Sequence, residues 1–334
     1  MSAIVLAYGD EPWVERCITS LLTSRGVEVQ AVVVDNGCTT GAVDRLDGTD
    51  GVVVVRPGRN LGFAGGCNAG AAHAGGDVLV LVNADAYVRP DTLARLAAAA
   101  QHPGVGAVSA SIRLADDPQR LNSAGNPISY VGLSWSGGFG EAASQHAIMR
   151  EVAGASGAGL AIRRQLWEEL GGFEPLYFAY HEDAELSWRC WQRGLRVLYV
   201  PDAVVVHRYE FSRNPLKYRL VERNRLLFVL TLFERRTLLL IAPALVAVEA
   251  AMLAVGVVEG WWREKLRGYG WLLRHRRQVR ARRRQLQAER RVPDRALAHL
   301  LTGRFTPANV RLPRGGGVVG RLLGAYWARI RPWL

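Results

Sequence analysis

Over residues 1 to about 110, short apolar runs alternate with stretches whose apolar positions recur near every 3.6 residues. The pattern predicts strands at 3–8, 29–34, 52–55, 78–82 and 105–110. It predicts helices at 13–23, 63–74 (built of small residues) and 91–100. Strands alternating with helices imply βαβ units, hence an α/β fold with a mostly parallel mixed sheet flanked by helices. Ligands of such sheets bind beyond the carboxyl ends of the strands. Residues 111–150 are rich in Gly, Ser and Asn and predict an irregular or hairpin insertion. Residues 152–163 carry a small-residue turn and then an apolar strand.

The stretch 171–207 organises the rest. It opens on Gly171-Gly172 and an aromatic run, then sets Glu182, Asp183 and Glu185 at the start of a short amphipathic helix that Gly194 stops. Two strands, 196–200 and 203–206, are expected next, separated by a Pro-Asp turn and closed by His207. A carboxylate at a helix start under aromatic cover is a place for a general base, and the helix N-terminus is expected to favour ionised Asp183. Glu185 and Arg189, four apart, read as an ion pair on a helix face.

Three strand ends carry candidate chemistry. Asp35-Asn36-Gly37 reads either as an acceptor for a ribose or base or as a turn. Arg59-Asn60-Leu61-Gly62-Phe63 opens the small-residue helix; its glycines admit either a ligand or the sheet at close range. It is neither a GxGxxG nor a Walker A loop. Asn83-Ala84-Asp85 offers one carboxylate, enough for a magnesium-type site shared with substrate phosphates, or for a helix cap.

Composition narrows this picture. The chain of 334 residues is about half hydrophobic, sufficient for one large or two modest domains. Its four cysteines, Cys17, Cys38, Cys67 and Cys190, form no CxxC, which argues against a zinc cage or a disulfide framework and fits a reducing compartment. The N-terminal MSAIVLAYGD reads as a strand rather than a signal peptide. The net charge of +12 is uneven, much of the excess following Trp261, which calls for an anionic partner or solvent.

These motifs, in this order, resemble the family 2 glycosyltransferases of the type A glycosyltransferase fold, particularly rhamnosyltransferase-like members that build cell-surface polysaccharide. The matching residues are Val32 to Asn36, Arg59 to Phe63 with Asn68, Asn83 to Asp85, Gly171 to Phe173, Glu182 to Leu186, Arg189, Pro201 to Ala203 and His207. The match spans roughly residues 1–230. Departures are Gly37-Cys38 where the family usually has a nearby Ser, Ala84 where it often has Pro, and Glu185 where it often has Asp. The resemblance implies inverting, metal-dependent transfer of a sugar from a UDP- or dTDP-sugar to an acceptor hydroxyl. It implies Asp183 as the base, Asp35 on the nucleobase or ribose, and Asp85 with His207 at Mg2+ or Mn2+. Asn36, Arg59, Asn60, Gly62 and Asn83 are implied on the donor, and Arg223 on its diphosphate.

The boundary is expected near residue 215, separating a catalytic domain (1–215) from a basic helical extension (216–334). Residues 214–233 predict a helix. Residues 237–258 are long and apolar enough to cross a bilayer, but Pro243 and Glu249 are awkward there, and a single crossing would put the Arg-rich tail outside. Trp261, Trp262, Tyr269 and Trp271 among Arg and Lys suit the membrane interface. The expectation is peripheral or re-entrant attachment at the cytoplasmic face of the cell membrane, with a span or a buried or dimerising helix as alternatives. Two short helices joined by a Pro/Gly-rich link at 312–317 should end the chain. A lipid-linked or polysaccharide acceptor accounts for such an appendage. The rival readings are a non-catalytic nucleotide-binding protein whose tail contacts nucleic acid or membrane, and a nucleotidyltransferase. Nucleic acid is disfavoured because no recognition motif is present. The nucleotidyltransferase wants a basic loop where Tyr8 to Pro12 is acidic.

Overall fold

The computed structural model describes residues 1–208, 215–305 and 316–334. The chain forms two compact units. The first comprises residues 1–126, 136–190 and 195–210. The second takes 127–135, 191–194 and 211–334.

The first unit begins β1 (Ser2–Gly9), α1 (Val14–Leu22), β2 (Gln30–Cys38), α2 (Ala42–Leu46), β3 (Val52–Val55), α3 (Gly62–Ala71), β4 (Val78–Asn83), β5 (Ala86–Val88), α4 (Thr92–Gln101) and β6 (Val105–Leu114). β7 (Leu121–Ser123) follows. In the second unit lies β8 (Ile128–Ser129). The first unit resumes with β9 (Arg150–Glu151), β10 (Gly159–Arg163), α5 (Arg164–Leu170), α6 (Glu182–Gln192) and β11 (Arg196–His207). The sheet runs β3-β2-β1-β4-β10-β6-β11-β5. β1 to β4 are parallel, as are β6 and β11, whereas β10 and β5 run antiparallel to their neighbours. Ala3, Ile4, Val5 and Ala7 of β1 are all buried, as are Val78 to Val82 of β4, because helices cover both faces. Val14, Cys17, Ile18 and Leu21 form the buried stripe of α1. α3 sits unusually close to the sheet. A Cβ on Gly66 would lie 2.2 Å from Leu6, and one on Gly70 would lie 2.7 Å from Ile4. The small residues of this helix therefore serve helix–sheet packing.

Two expectations change. The predicted pair of strands around Pro201-Asp202 is one strand, β11. Its pairing with β6 shifts register between Val200 and Val204, so a bulge absorbs the turn-forming residues without ending the strand. The Glu185–Arg189 pair is not on a surface. Its side chains are 1% and 3% exposed, with 2.7 Å between Arg189 Nη2 and Glu185 Oε2. Arg189 also donates to the carbonyls of Leu170 and Gly172, each at 2.6 Å, tying α6 to the end of α5.

The second unit is helical, with α7 (Pro215–Leu232), α8 (Arg235–Val258), α9 (Trp262–Arg274), α10 (Arg276–Glu289), α11 (Asp294–Leu297), β12 (Leu301–Thr302) and α12 (Gly316–Ile330). The link expected at 312–317 and the first residue of the helix expected from 214 fall largely outside the described residues. Within this unit Arg225, fully buried, donates to the Val131 carbonyl and to Glu222, and also bonds Glu249 of α8. Lys265 of α9, 1% exposed, reaches Glu222 at 2.5 Å and Glu249 at 3.0 Å, and Tyr269 donates to Glu249. Burial alone would raise the Glu222 carboxyl, but Arg225 and Lys265 outweigh it and hold it at about 2, against an ordinary 4.5. A carboxyl depressed in this way contributes stability that is complete above its unfolded value and is lost as pH falls through its folded one. Stability of this unit, followed by tryptophan fluorescence, is therefore expected to decline between pH 4.5 and about 2. A flat response over that interval would contradict the network.

Candidate active site

Two residues, Ala84 and Asp85, separate β4 from β5, yet β5 pairs with the far end of β11, where Ala86 faces His207. The short link therefore draws the end of β11 to the end of β4. Asp85 Oδ1 lies 3.1 Å from His207 Nε2, Asn83 Nδ2 lies 3.2 Å from the same nitrogen, and the Arg208 N–H donates to the Asp85 carbonyl. On the other edge of the ring, His207 Nδ1 is 3.2 Å from Asn122 Oδ1. An amide oxygen accepts, so Nδ1 carries a hydrogen and Nε2 is the ring nitrogen that faces Asp85. Two electron-rich atoms this close call for a proton or a cation between them. Their separation also matches the edge of about 3 Å between adjacent ligands of an octahedral ion with bonds of about 2.1 Å. Glu11, in the loop after β1, feels this centre: burial first, then the charge of Asp85, pushes its carboxyl up to about 7. The donor set thus fits a divalent cation with two protein ligands. No group of three or more His, Cys, Asp or Glu gathers among the described residues, so substrate oxygens and water would complete the shell.

Beside Asp85 is a small hollow of about 30 Å³ lined by Trp13, Arg16, Tyr87 and Arg208 among others. Arg16 stacks over Tyr87 at 4.1 Å and Arg208 over Trp13 at 4.6 Å, which places two guanidinium groups next to the acidic centre.

Asp35 pairs in register with Ala7 of β1, and Asn83 with Leu6. One strand lies between them, so their backbones are about 10 Å apart. Asp35 Oδ1 accepts from the Gly37 and Cys38 N–H groups at 3.2 and 2.9 Å, so the turn is present as well as the acid. Asn36, 1% exposed, donates to Asn60 Oδ1 at 2.9 Å and accepts from the Leu61 N–H at 2.8 Å. Asn60 Oδ1 also accepts from the Gly62 N–H at 2.7 Å, and the Ala64 N–H donates to the Phe178 carbonyl. Three amides at the start of α3 are thereby occupied by the protein itself. Gly62 has φ +72°, and a Cβ there would stand 2.4 Å from the Phe178 carbonyl oxygen. This glycine makes room for the loop that precedes α6. Arg59 is exposed.

That loop is strained: Phe178, Tyr180 and His181 have φ of 63°, 71° and 70° without being glycine. Asn68 of α3 holds its base, exchanging two hydrogen bonds with the Phe173 backbone at 2.8 and 2.9 Å. The loop delivers Asp183 to the first turn of α6. Asp183 Oδ2 accepts from the Gly157 N–H at 3.0 Å and Oδ1 from the Ala184 N–H at 2.7 Å, while Ser187 donates to its carbonyl. The small-residue turn before β10 thus anchors this carboxylate. The helix start was expected to favour the ionised form, but burial outweighs the N–H groups of Gly157 and Ala184 and the charge of His181, and the Asp183 carboxyl is raised. Glu182, 5% exposed, is raised further, by burial first and then by Asp183; its Oε2 has no hydrogen-bond partner.

Asn83, Asp85 and His207 come together, as do Asn36, Asn60 and Gly62. Arg223 belongs to the second unit, where it stacks over Trp271 at 4.2 Å and bonds Asn224. Sequence reasoning missed Asn122 and Glu11 as supports of the site, and had Asn68 only as a motif residue and Gly157 only as part of a small-residue turn. Asn122 and Gly157 sit in stretches without periodic signal, and only the fold brings them to His207 and Asp183.

The profile of the family described as glycosyl transferase family 2 matches residues 2–171. A protein of Mycobacterium tuberculosis named N-acetylglucosaminyl-diphospho-decaprenol L-rhamnosyltransferase is 27% identical over 303 residues, covering 82% of this chain and 89% of its own. Among solved structures, the mannosyltransferase PcManGT of Pyrobaculum calidifontis, in complex with GDP-Man and Mn2+, is similar with a TM-score of 0.54 and 21% identity over 99% of this chain and 86% of its own. GalNAc-T7 with UDP, GalNAc and Mn2+ gives a TM-score of 0.57 at 19% identity, over 70% of this chain and 48% of its own. These two likenesses concern the fold.

Proposed function

The chain belongs to glycosyl transferase family 2, and from that premise we propose that it transfers a sugar from a UDP- or dTDP-sugar to a hydroxyl of a lipid-linked or cell-surface glycan, with inversion. The mycobacterial relative's name supports rhamnose as the sugar and a lipid diphosphate-linked acceptor. The observation that carries the reading is the convergence of Asp85, Asn83 and His207 at the strand ends, in the same unit as an anchored carboxylate, Asp183.

In this reading Asp183 takes the proton of the acceptor hydroxyl, whose oxygen bonds to the anomeric carbon as the bond to the nucleoside diphosphate breaks. A single displacement inverts the centre. Asp85 and His207 would hold Mg2+ or Mn2+, which on binding neutralises charge on the departing diphosphate. Asp35 and Asn36 would face the nucleoside, with Arg59, Asn60, Gly62 and Asn83 along the donor. Arg16 and Arg208 share the unit of Asp85 and are candidate diphosphate ligands.

Donor binding tests this. UDP- and dTDP-sugars with Mn2+ or Mg2+ should raise the melting temperature by several degrees, since ligand at about 100 times its Kd adds about 2.7 kcal/mol. Asp85→Ala should abolish the metal-dependent part of that shift. A folded wild-type protein indifferent to every nucleotide diphosphate sugar and metal would end the reading.

A further inference from the structure

Past Arg235 and Arg236, α8 is apolar but for Glu249, with a mean hydropathy of 2.4 over an 18-residue window, of which only 17% is buried. Its two sides differ. Thr237, Ile241, Ala244 and Val248 face the unit. Leu239, Pro243, Val246, Ala250, Ala254 and Val257 recur at three- and four-residue steps and are exposed, Leu239 at 77% and Val246 at 67%. Between Leu239 and Val258 the exposed positions carry no charge, a stripe about 30 Å long at 1.5 Å per residue. This overturns the alternative of a buried helix. A stripe of this size on a soluble surface marks a docking face.

The inner side fixes how the stripe is used. Glu249 is bound by Arg225 of α7 and by Lys265 and Tyr269 of α9. Crossing a bilayer would require α8 either to abandon these partners, leaving an unpaired carboxylate, or to carry α7 and α9 with it. Those helices bear Lys217, Arg219, Arg223, Arg263 and Arg267, which hydrocarbon does not accept. Charge selects the occupant. From Trp261 onward there are nineteen Arg or Lys against three Asp or Glu. On α9, Trp262, Leu266 and Leu273 are exposed beside Arg263, Arg267 and Arg274.

We propose that the outer stripe of α8, with the basic helices that follow it, docks on an anionic phospholipid bilayer as a helix lying in the plane of the surface, without crossing it. This deepens the membrane side of the proposed function but rests on the second unit's own surface, so vesicle binding and donor binding fail separately.

The test uses the full chain and vesicles of phosphatidylcholine with or without phosphatidylglycerol. Wild type should sediment with the anionic vesicles, less as salt rises, and only weakly with the neutral ones. Leu239→Glu with Val246→Glu, both on exposed positions, should weaken this by about tenfold or more while melting temperature and nucleotide response stay unchanged. Undiminished binding by that variant overturns the proposal. Depth gives a second readout: in a Cys38→Ser background, labels at Leu239→Cys, Val246→Cys and Val257→Cys should all lie at one shallow depth. A deep label at 246 with those at 239 and 257 on opposite faces overturns the in-plane arrangement. Wild type that ignores vesicles but forms a dimer dissociated by the Glu pair assigns the stripe to a second copy of this chain and overturns the proposal too.

Discussion

Asp183→Asn is expected to lower sugar transfer by about 10²–10⁴-fold while donor binding and melting temperature stay near wild type. The amide keeps the size of the carboxylate and an oxygen to accept from the Gly157 N–H, giving up the bond from the Ala184 N–H, so the anchor to the turn survives while the basicity is lost. Single-turnover transfer beside a thermal-shift titration reads both. A variant that transfers at the wild-type rate would remove Asp183 from the base's role. The pH profile adds a sign. Burial raises the Asp183 carboxyl, and the base works only when ionised, so the acidic limb of the rate should lie above 3.8, the ordinary value for an aspartate. Glu182, buried beside it, is raised as well, by burial first and then by the charge of Asp183.

Arg189→Leu is expected to cost about 3–5 kcal/mol of stability, measured by denaturant unfolding. The substitution removes the cation 2.7 Å from Glu185, 1% exposed at its side chain, and the donor to the Leu170 and Gly172 carbonyls. Pairing it with Glu185→Leu should recover much of the loss, because the penalty comes from an uncompensated buried charge rather than from the absence of an attraction. A single variant that loses less than about 1 kcal/mol, the range of an exposed pair, would show the pair to be solvated. Since α6 carries Asp183 at its other end, a loosened α6 should also slow transfer.

The parallel half of the sheet was readable because strands covered on both faces leave continuous apolar runs, as in β1 and β4. Periodicity reports neither depth nor partner, and the misreadings follow from that. Glu185 and Arg189 have the spacing of a surface pair and lie in the interior. Pro201-Asp202 has the composition of a turn and sits in a bulge of an unbroken strand. The glycines of α3 have the look of a ligand loop, whereas Gly66 and Gly70 clear the side chains of Leu6 and Ile4, and Gly62 clears Phe178. Motif order placed Asp85 and His207 at a common centre, and the two-residue link from β4 to β5 explains how residues 122 positions apart meet. Nothing local marked Asn122, whose role depends on which way the imidazole faces.

β10 has a consequence for how the protein is made. It is the strand between β4 and β6, yet it is synthesised some fifty residues after β6. Until Gly159–Arg163 leaves the ribosome, β4 and β6 each present an open edge of backbone donors and acceptors, the feature that invites pairing with other chains. The stretch that ends at β6 is thus no autonomous folding unit. A chain cut after β6 retains the motifs of Asp35 and Asp85 but lacks the strand that joins the halves of the sheet, and such a fragment is expected to aggregate where the longer chain folds.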